Sequence, residues 1–443
     1  DSGKHGIYNG DTFYGESITV TNAGDLLLSN GGEMMKITGI TLGGKANKAI
    51  YNSGYAELYS LTVDGTDVIS ITVDDQDNES LASNQYLVDN NGGVLDLTDA
   101  TILNAFGTAV HSRGKAATSV TNVIIDHVGN FGFFVEGGSV LSGDGLVVNN
   151  VYKNAQLTGA EGVAIKLAGK ITMMDHVTLG AYSDDIIGSG VEIDKSESGL
   201  ASTALQLDAA DASYSGYDLV IRNAKNGNGI YNKGILYVTD LDIDGAKDGL
   251  VCRYTGWATL SGKVKITNTT RCPVSIYGPE GNSVNINGVT LTSGADMLID
   301  TAGQHGINNK GSFLAAADTS LTIKNIIGQN VNAINNQSGA AMSLGDVTID
   351  GVYVTVSMYN DTTINSNSGN GLQTNSTLEL NGDLVIRNIY IKAANNKTDN
   401  SNGSGVVVKN SGSITGTGSI TVEGSQTAPE GYDGYTGLFN GIF

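Results

Sequence analysis

Forty-five aspartates and glutamates give this chain ample material for acid–base chemistry. Cleaving a glycosidic bond takes two facing carboxyl groups, one to protonate the leaving oxygen and one to act as base or nucleophile. Fragments that could belong to such a centre are Asp126-His127, Asp184-Asp185 and His305-Gly306. None is followed in order by the further acids, arginine or lysine that would complete a centre. Such fragments arise by chance in an acidic chain, so no catalytic residue is assigned and a non-enzyme is expected. A polysaccharide lyase or hydrolase is kept as an alternative. Cys252 and Cys272 have no histidine pair or second cysteine pair nearby, so no metal site or other cofactor is expected.

One stretch offers a different chemistry. From Arg222 to Arg271 there are eight basic residues (Arg222, Lys225, Lys233, Lys247, Arg253, Lys263, Lys265, Arg271) against four acids (Asp240, Asp242, Asp244, Asp248), a net of +4 in a chain of −21. Tyr254 and Trp257, the only tryptophan, lie inside it. Cations beside aromatic rings suit a sulfated or carboxylated glycan. The candidate glycan-binding residues are therefore Arg222, Lys225, Lys233, Lys247, Arg253, Trp257, Lys265 and Arg271. The plainer alternative is a solvated face with local pairs, such as Lys247 near Asp244.

What must position these residues is a repeat. A polar or small residue, then apolar, any, apolar and polar, recurs fourteen times from Ser17-Ile18-Thr19-Val20-Thr21 to Ser419-Ile420-Thr421-Val422-Glu423. Alternation over so few residues means a short strand with one buried face. Copies lie 22 or 23 residues apart where the chain is tightest, as from Asn104 to Asp126 and from Asp126 to Asn149. A second motif follows each copy, as in Gly6-Ile7-Tyr8-Asn9, Ala49-Ile50-Tyr51-Asn52 and Gly229-Ile230-Tyr231-Asn232, and a third short strand precedes it, as in Leu378-Glu379-Leu380. With 61 glycines and 3 prolines, turns are frequent and permissive. The expectation is an all-β chain: a single right-handed parallel β-helix of about fourteen or more coils, three short strands per coil, spanning residues 1–443 as one domain. Intervals much longer than 22 residues predict an extra coil at Met34 to Gly44 and long loops at 74–90, 182–211, 359–370 and 392–404, where function commonly sits. The tail 432–443 reads as one more partial coil.

The repeat assigns a register. The residue after each apolar pair forms a corner column: Thr21, Asp64, Asn104, Asp126, Asn149, Gly180, Arg222, Asp244, Thr267, Thr292, Lys324, Asp350, Arg387 and Glu423. Asp64, Asn104, Asp126, Asn149, Arg222, Asp244, Lys324, Asp350 and Arg387 are the candidate protein-binding residues, a linear polar surface for an extended partner. The alternative is turn chemistry, since Asp and Asn end strands well. Cys252 and Cys272 fall on neighbouring coils, so a disulfide between them is expected. Tyr8, Tyr51 and Tyr231 share one outward slot.

Gly- and Asn-rich β-coils, acidic charge, few cysteines and no enzyme signature together resemble, over essentially the whole chain, the passenger domains of Gram-negative autotransporters of the type V secretion pathway. The resemblance implies a passenger exported across the outer membrane to the cell surface by its own C-terminal barrel, which these residues do not include. It also implies an adhesin that binds a host extracellular-matrix protein such as fibronectin and a glycosaminoglycan or other polyanionic glycan. Self-association, driving aggregation and biofilm formation, is the alternative within the same family. A serine-protease member is disfavoured because no Gly-Asp-Ser-Gly occurs. The acidic field repels a nucleic-acid backbone, and no run of 18 apolar residues is present to cross a bilayer.

Overall fold

The computed structural model describes residues 4–73, 79–82, 85–154, 156–181, 203–278, 287–329, 331–356, 358–359, 363–364, 369–393, 404–409, 412–424, 430 and 436–437. The chain is all-β, and among the described residues no segment is helical. It divides into two compact units, Asp1–Ile230 and Tyr231–Phe443. Each is built of long parallel sheets in a β-helix-like arrangement.

In the first unit, short strands stack in one parallel sheet: His5–Asn9, Leu26–Asn30, Lys48–Asn52, Tyr86–Asn91, Thr108–Arg113, Phe131–Val135, Val163–Leu167 and Thr203–Leu207. Between them run long strands, Thr12–Thr21, Met34–Gly43, Tyr55–Asp64, Val94–Ala105, Ala117–Val128 and Val140–Val151, also parallel. Next come Lys170–Asp175 and Val177–Ala181, then Ser213–Arg222. The long strands bend at a residue of positive φ, such as Ser17 (53°), Ser60 (51°), Asp99 (52°) or Asn122 (53°). The bend resets the pleat. In Tyr55–Asp64, Ala56 and Leu58 are buried before it and Leu61 and Val63 after it, whereas a straight strand would turn the second pair outward.

The inner faces stack in columns. Leu42, Val63, Ile102, Ile125, Val148, Leu179 and Ile221 follow one another in register, and all are buried. Each side chain contributes about 1.5–3 kcal/mol when fully withdrawn from water. At the end of the short strands the column is polar. The Asn9 amide donates to Asn30 (2.8 Å), Asn30 to Asn52 (2.8 Å), Asn52 to Asn90 (2.9 Å) and Asn90 to the Thr118 hydroxyl (2.9 Å). The same amides donate to the Met34, Tyr55, Val94 and Ala117 carbonyls. Buried backbone groups at the turn are thereby satisfied, as they must be.

In the second unit the short sheet is Asp248–Cys252, Val274–Ile276, Ile307–Asn309, Ile334–Asn336, Leu372–Thr374 and Val406–Val408. Ile235–Asp244 is one bent strand. In later coils the halves separate, as in Trp257–Leu260 and Lys263–Thr269, or Gly288–Leu291 and Asp296–Ala302. Ile243, Ile266, Ile299, Ile323, Ile349 and Ile386 form an unbroken isoleucine column in register. Asn309 donates to Asn336 (3.0 Å) and Asn336 to Thr374 (3.0 Å), repeating the amide ladder.

The strand pairing resolves the long intervals. Met34–Gly43 is the extra coil expected there. Lys48–Asn52 pairs directly with Tyr86–Asn91; between them Val68 still bridges to Ala46 on the preceding coil, and Ile71–Val73 and Glu79–Leu81 form a separate antiparallel pair. Val163–Leu167 likewise pairs directly with Thr203–Leu207, Ile334–Asn336 with Leu372–Thr374, and Leu372–Thr374 with Val406–Val408. In sequence, each of these long intervals falls between the end of a long strand and the start of a short one. Most of the predicted loop residues, Asp184-Asp185 and most of the 432–443 tail lie outside the described residues.

Two corner assignments are corrected. Leu103, not Asn104, pairs with Asp64 and Asp126. The inward residues there are Ala100 and Ile102, and reading Thr101 and Leu103 as the apolar slots slips the register by one residue. Thr292 is not in the column either, because Asp300 pairs with Thr267 and Lys324. Gly288–Leu291 belongs to the preceding half-strand, paired with Trp257–Leu260.

Asn52→Ala removes the donor that Asn90 and Val94 accept and the acceptor of Asn30. Urea unfolding followed by circular dichroism is expected to show a loss of roughly 1–3 kcal/mol for the unsatisfied groups; an unchanged midpoint would remove the ladder from the account of stability.

Candidate functional site

The corner column is built as an interlock between coils. In the second unit Asp244, Thr267, Asp300, Lys324, Asp350 and Arg387 stand in register. Asn268, one residue past the column, donates to Asp244 on the preceding coil (2.6 Å). Asn325 does the same to Asp300 (2.7 Å) and Asn388 to Asp350 (2.6 Å). Arg387 adds an ion pair to Asp350 (3.0 Å), and Lys324 stands 3.9 Å from Asp300. In the first unit Asn104 donates to Asp64 (3.0 Å) and Asn150 to Asp126 (2.7 Å), while Asn149 holds the column position in register with Asp126. The donors Asn104, Asn150, Asn268, Asn325 and Asn388 all have φ between 49° and 59°, a region asparagine tolerates better than most residues. Burial alone would raise the Asp64 carboxyl, but the hydrogen bonds from Thr66 and Asn104 outweigh it and hold it below its usual value. The column's carboxylates are thus spent on joining coils, which favours turn chemistry there.

The basic stretch disperses. Arg222 and the exposed Lys225 belong to the first unit, the rest to the second. Lys247 is exposed; Lys265 stands 3.9 Å from Asp242, and Arg271 lies 3.4 Å from the buried Asp248. Two of the candidates do converge. The Lys233 ammonium lies 5.4 Å from the Tyr231 ring and 5.6 Å from the Tyr254 ring. The Arg253 guanidinium lies 6.0 Å from the Tyr254 ring and 4.3 Å from the Tyr277 ring. All five residues flank the point where short strands turn into long ones. Trp257 is not among them. It begins the next strand, where its indole N–H donates to Thr290 (3.0 Å).

A denser cluster, absent from the sequence reading, lies on the outer face of the first unit's short sheet. Tyr51, Asp89, His111, Phe134 and Lys166 share one outward column. Asp89 has no exposed side-chain surface and meets Lys48 at 2.6 Å and Arg113 at 2.9 Å. His111 is held between two acids, 2.9 Å from Glu136 and 3.7 Å from Asp89; the second distance is too long for a hydrogen bond. Its ring stacks on Phe134 (5.0 Å) and meets Tyr86 (4.1 Å). Lys166 pairs with Glu161 and lies over the rings of Phe131 and Phe134. Burial alone would raise the Asp89 carboxyl, but His111, Arg113 and Lys48 overcome it and hold it well below the usual range. A carboxylate so enclosed is out of reach of a substrate, so this cluster ties five coils together. Its partners are 24 and 41 residues from Asp89, and only the register could have found them.

The expected disulfide is not formed: Cys252 and Cys272 are both buried and free. Cys252 pairs with Ile276 at one end of the short sheet, while the Cys272 N–H donates to Asp248 at the other (3.2 Å). Neighbouring coils were correctly assigned, but the thiols lie a strand's length apart. Burial pushes the Cys252 thiol up to about 12 and the Cys272 thiol up to about 11. The two candidate fragments among the described residues do not come together either. Asp126 serves the corner and pairs with His127 at 3.1 Å. His305, in the other unit, accepts from the Asn332 N–H (2.9 Å), and burial lowers its pKa.

A scan against protein-family models and a search of curated proteins returned no match.

Because the Asp89 pKa is depressed on folding, its contribution to stability is present above the ordinary carboxylate range and is lost as pH falls below it. Asp89→Asn should cost about 3 kcal/mol at neutral pH, by stranding Lys48 and Arg113, and flatten the acid limb of a stability–pH curve. Thiol titration without reductant should find both cysteines unreactive in the native chain and two reactive thiols after unfolding; no reactive thiol in the unfolded, unreduced chain would restore the bridge.

Proposed function

We propose that the chain is a non-enzymatic cell-surface adhesin, the passenger of an autotransporter, that binds a glycosaminoglycan or similar polyanionic glycan through Arg253 and Lys233. The observation that carries this is the convergence of these two cations with Tyr231, Tyr254 and Tyr277 on one turn region of the second unit. Arg offers a forked donor that suits sulfate and carboxylate groups, and the rings hold each cation in place. Binding at this spot runs against a chain charge of −21, so contact is local rather than drawn by the overall field.

Export across an outer membrane and display at the cell surface follow from the same reading. So does the finer fold: right-handed winding in each unit, three short strands per coil, and the fourteen or more coils counted from the repeat. A host matrix protein such as fibronectin is the less favoured partner, because the corner column proposed for it has its carboxylates engaged by asparagines of the next coil.

Surface plasmon resonance on immobilised heparin tests the site. Lys233→Ala with Arg253→Ala should weaken binding roughly tenfold or more, and binding should fall as salt rises. Lys265→Ala with Arg271→Ala should leave it near the parent value. Equal losses in both variants, or no heparin binding by the parent chain, would defeat the proposal.

A further inference from the structure

Trp257 is the chain's only tryptophan, and its setting differs from that of the cations beside it. Ile235, Trp257 and Gly288 stand in register on three successive strands, as do Tyr237, Thr259 and Thr290. The indole N–H is fixed to the Thr290 hydroxyl at 3.0 Å. The far end of the ring lies over Gly288, where a Cβ would stand 2.6 Å from the Ser312 carbonyl oxygen and 3.0 Å from both Cη2 and Cζ3 of the indole. A side chain at 288 would meet the Ser312 backbone first and crowd the ring as well, so glycine leaves room for the indole to rest across the neighbouring strand. Tyr237 is 50% exposed and Ile235 39%, large apolar exposures for a sheet face. None of these six residues carries a charge.

We infer that this face of the second unit binds a neutral, β-linked oligosaccharide. A pyranose with equatorial hydroxyls has two apolar faces of axial C–H groups and a polar rim. The rings of Trp257 and Tyr237 match the faces, and the Thr259 and Thr290 hydroxyls match the rim. Strands about 4.8 Å apart repeat these positions along the stacking direction, so the sugar chain runs across the strands. The absence of charge selects against a sulfated ligand, whose anions would gain nothing here. Fixing the indole before the ligand arrives removes an ordering cost. This site does not depend on the Arg253–Lys233 cluster.

Because there is one tryptophan, its emission reports on this site alone. The full chain is titrated with cellohexaose while tryptophan fluorescence and calorimetric heat are recorded. A saturable emission shift is expected. Affinity should fall roughly tenfold or more in Tyr237→Ala, and the heat should vanish in Trp257→Ala, with both variants retaining the parent circular dichroism and heparin binding. No saturable change at millimolar cellohexaose, heat that survives Trp257→Ala, or a shift produced by heparin and not by cellohexaose would overturn the inference. Loss of heparin binding in Lys233→Ala with Arg253→Ala, with the cellohexaose response intact, separates this site from the cationic one.

Discussion

Lateral pairing of parallel strands in strict register is the constraint on which everything else in this protein depends. One coil cannot bury its own inner face, so it gains a core only by lying flush on its neighbours. Once the isoleucines from Ile243 to Ile386 stand one above another, every other residue in those coils has its column fixed. A slip of one residue would turn the whole inner face to water.

The same stacking decides what happens to polar groups. Turns sit above turns, so amides and carboxylates repeat at strand spacing and can bond from coil to coil. Asn9, Asn30, Asn52 and Asn90 do so inside; Asp244, Asp300 and Asp350 do so at the corner, each with an asparagine from the next coil. The Asp89 cluster joins coils through charge instead of amides. Much of the polar surface that looks available for recognition is therefore holding the stack together. The proposed binding positions are one where aromatic rings organise two cations and a row of six residues that carries no charge.

The repeat was legible because its alternation is short and strict, and the extra coil at Met34–Gly43 was legible for the same reason. The register was not fully so. Ala100 is small enough to be passed over as an inward residue, which made Thr101 and Leu103 look like the buried pair. Gly288–Leu291 has the same apolar spacing as the half-strand that follows it, so Thr292 was read into the wrong column. The cationic stretch was visible as composition, but successive strands of a coil point its residues in different directions, and among the described contacts Lys233 and Arg253 are the candidates that share a ring, that of Tyr254. The Asp89 network was hidden because the long interval before Tyr86 breaks the 22-residue count that would align Tyr51, Asp89 and His111 and so bring Lys48 and Arg113 beside Asp89.

Register can be measured directly by paired cysteines placed in a background where Cys252 and Cys272 are replaced by serine. Adjacent parallel positions fall within disulfide reach. Under mild oxidation, Asp300→Cys with Lys324→Cys should cross-link readily, while Thr292→Cys with Lys324→Cys should not. A cross-link from Thr292 and none from Asp300 would mean that the columns, and every site assigned from them in the second unit, are misplaced.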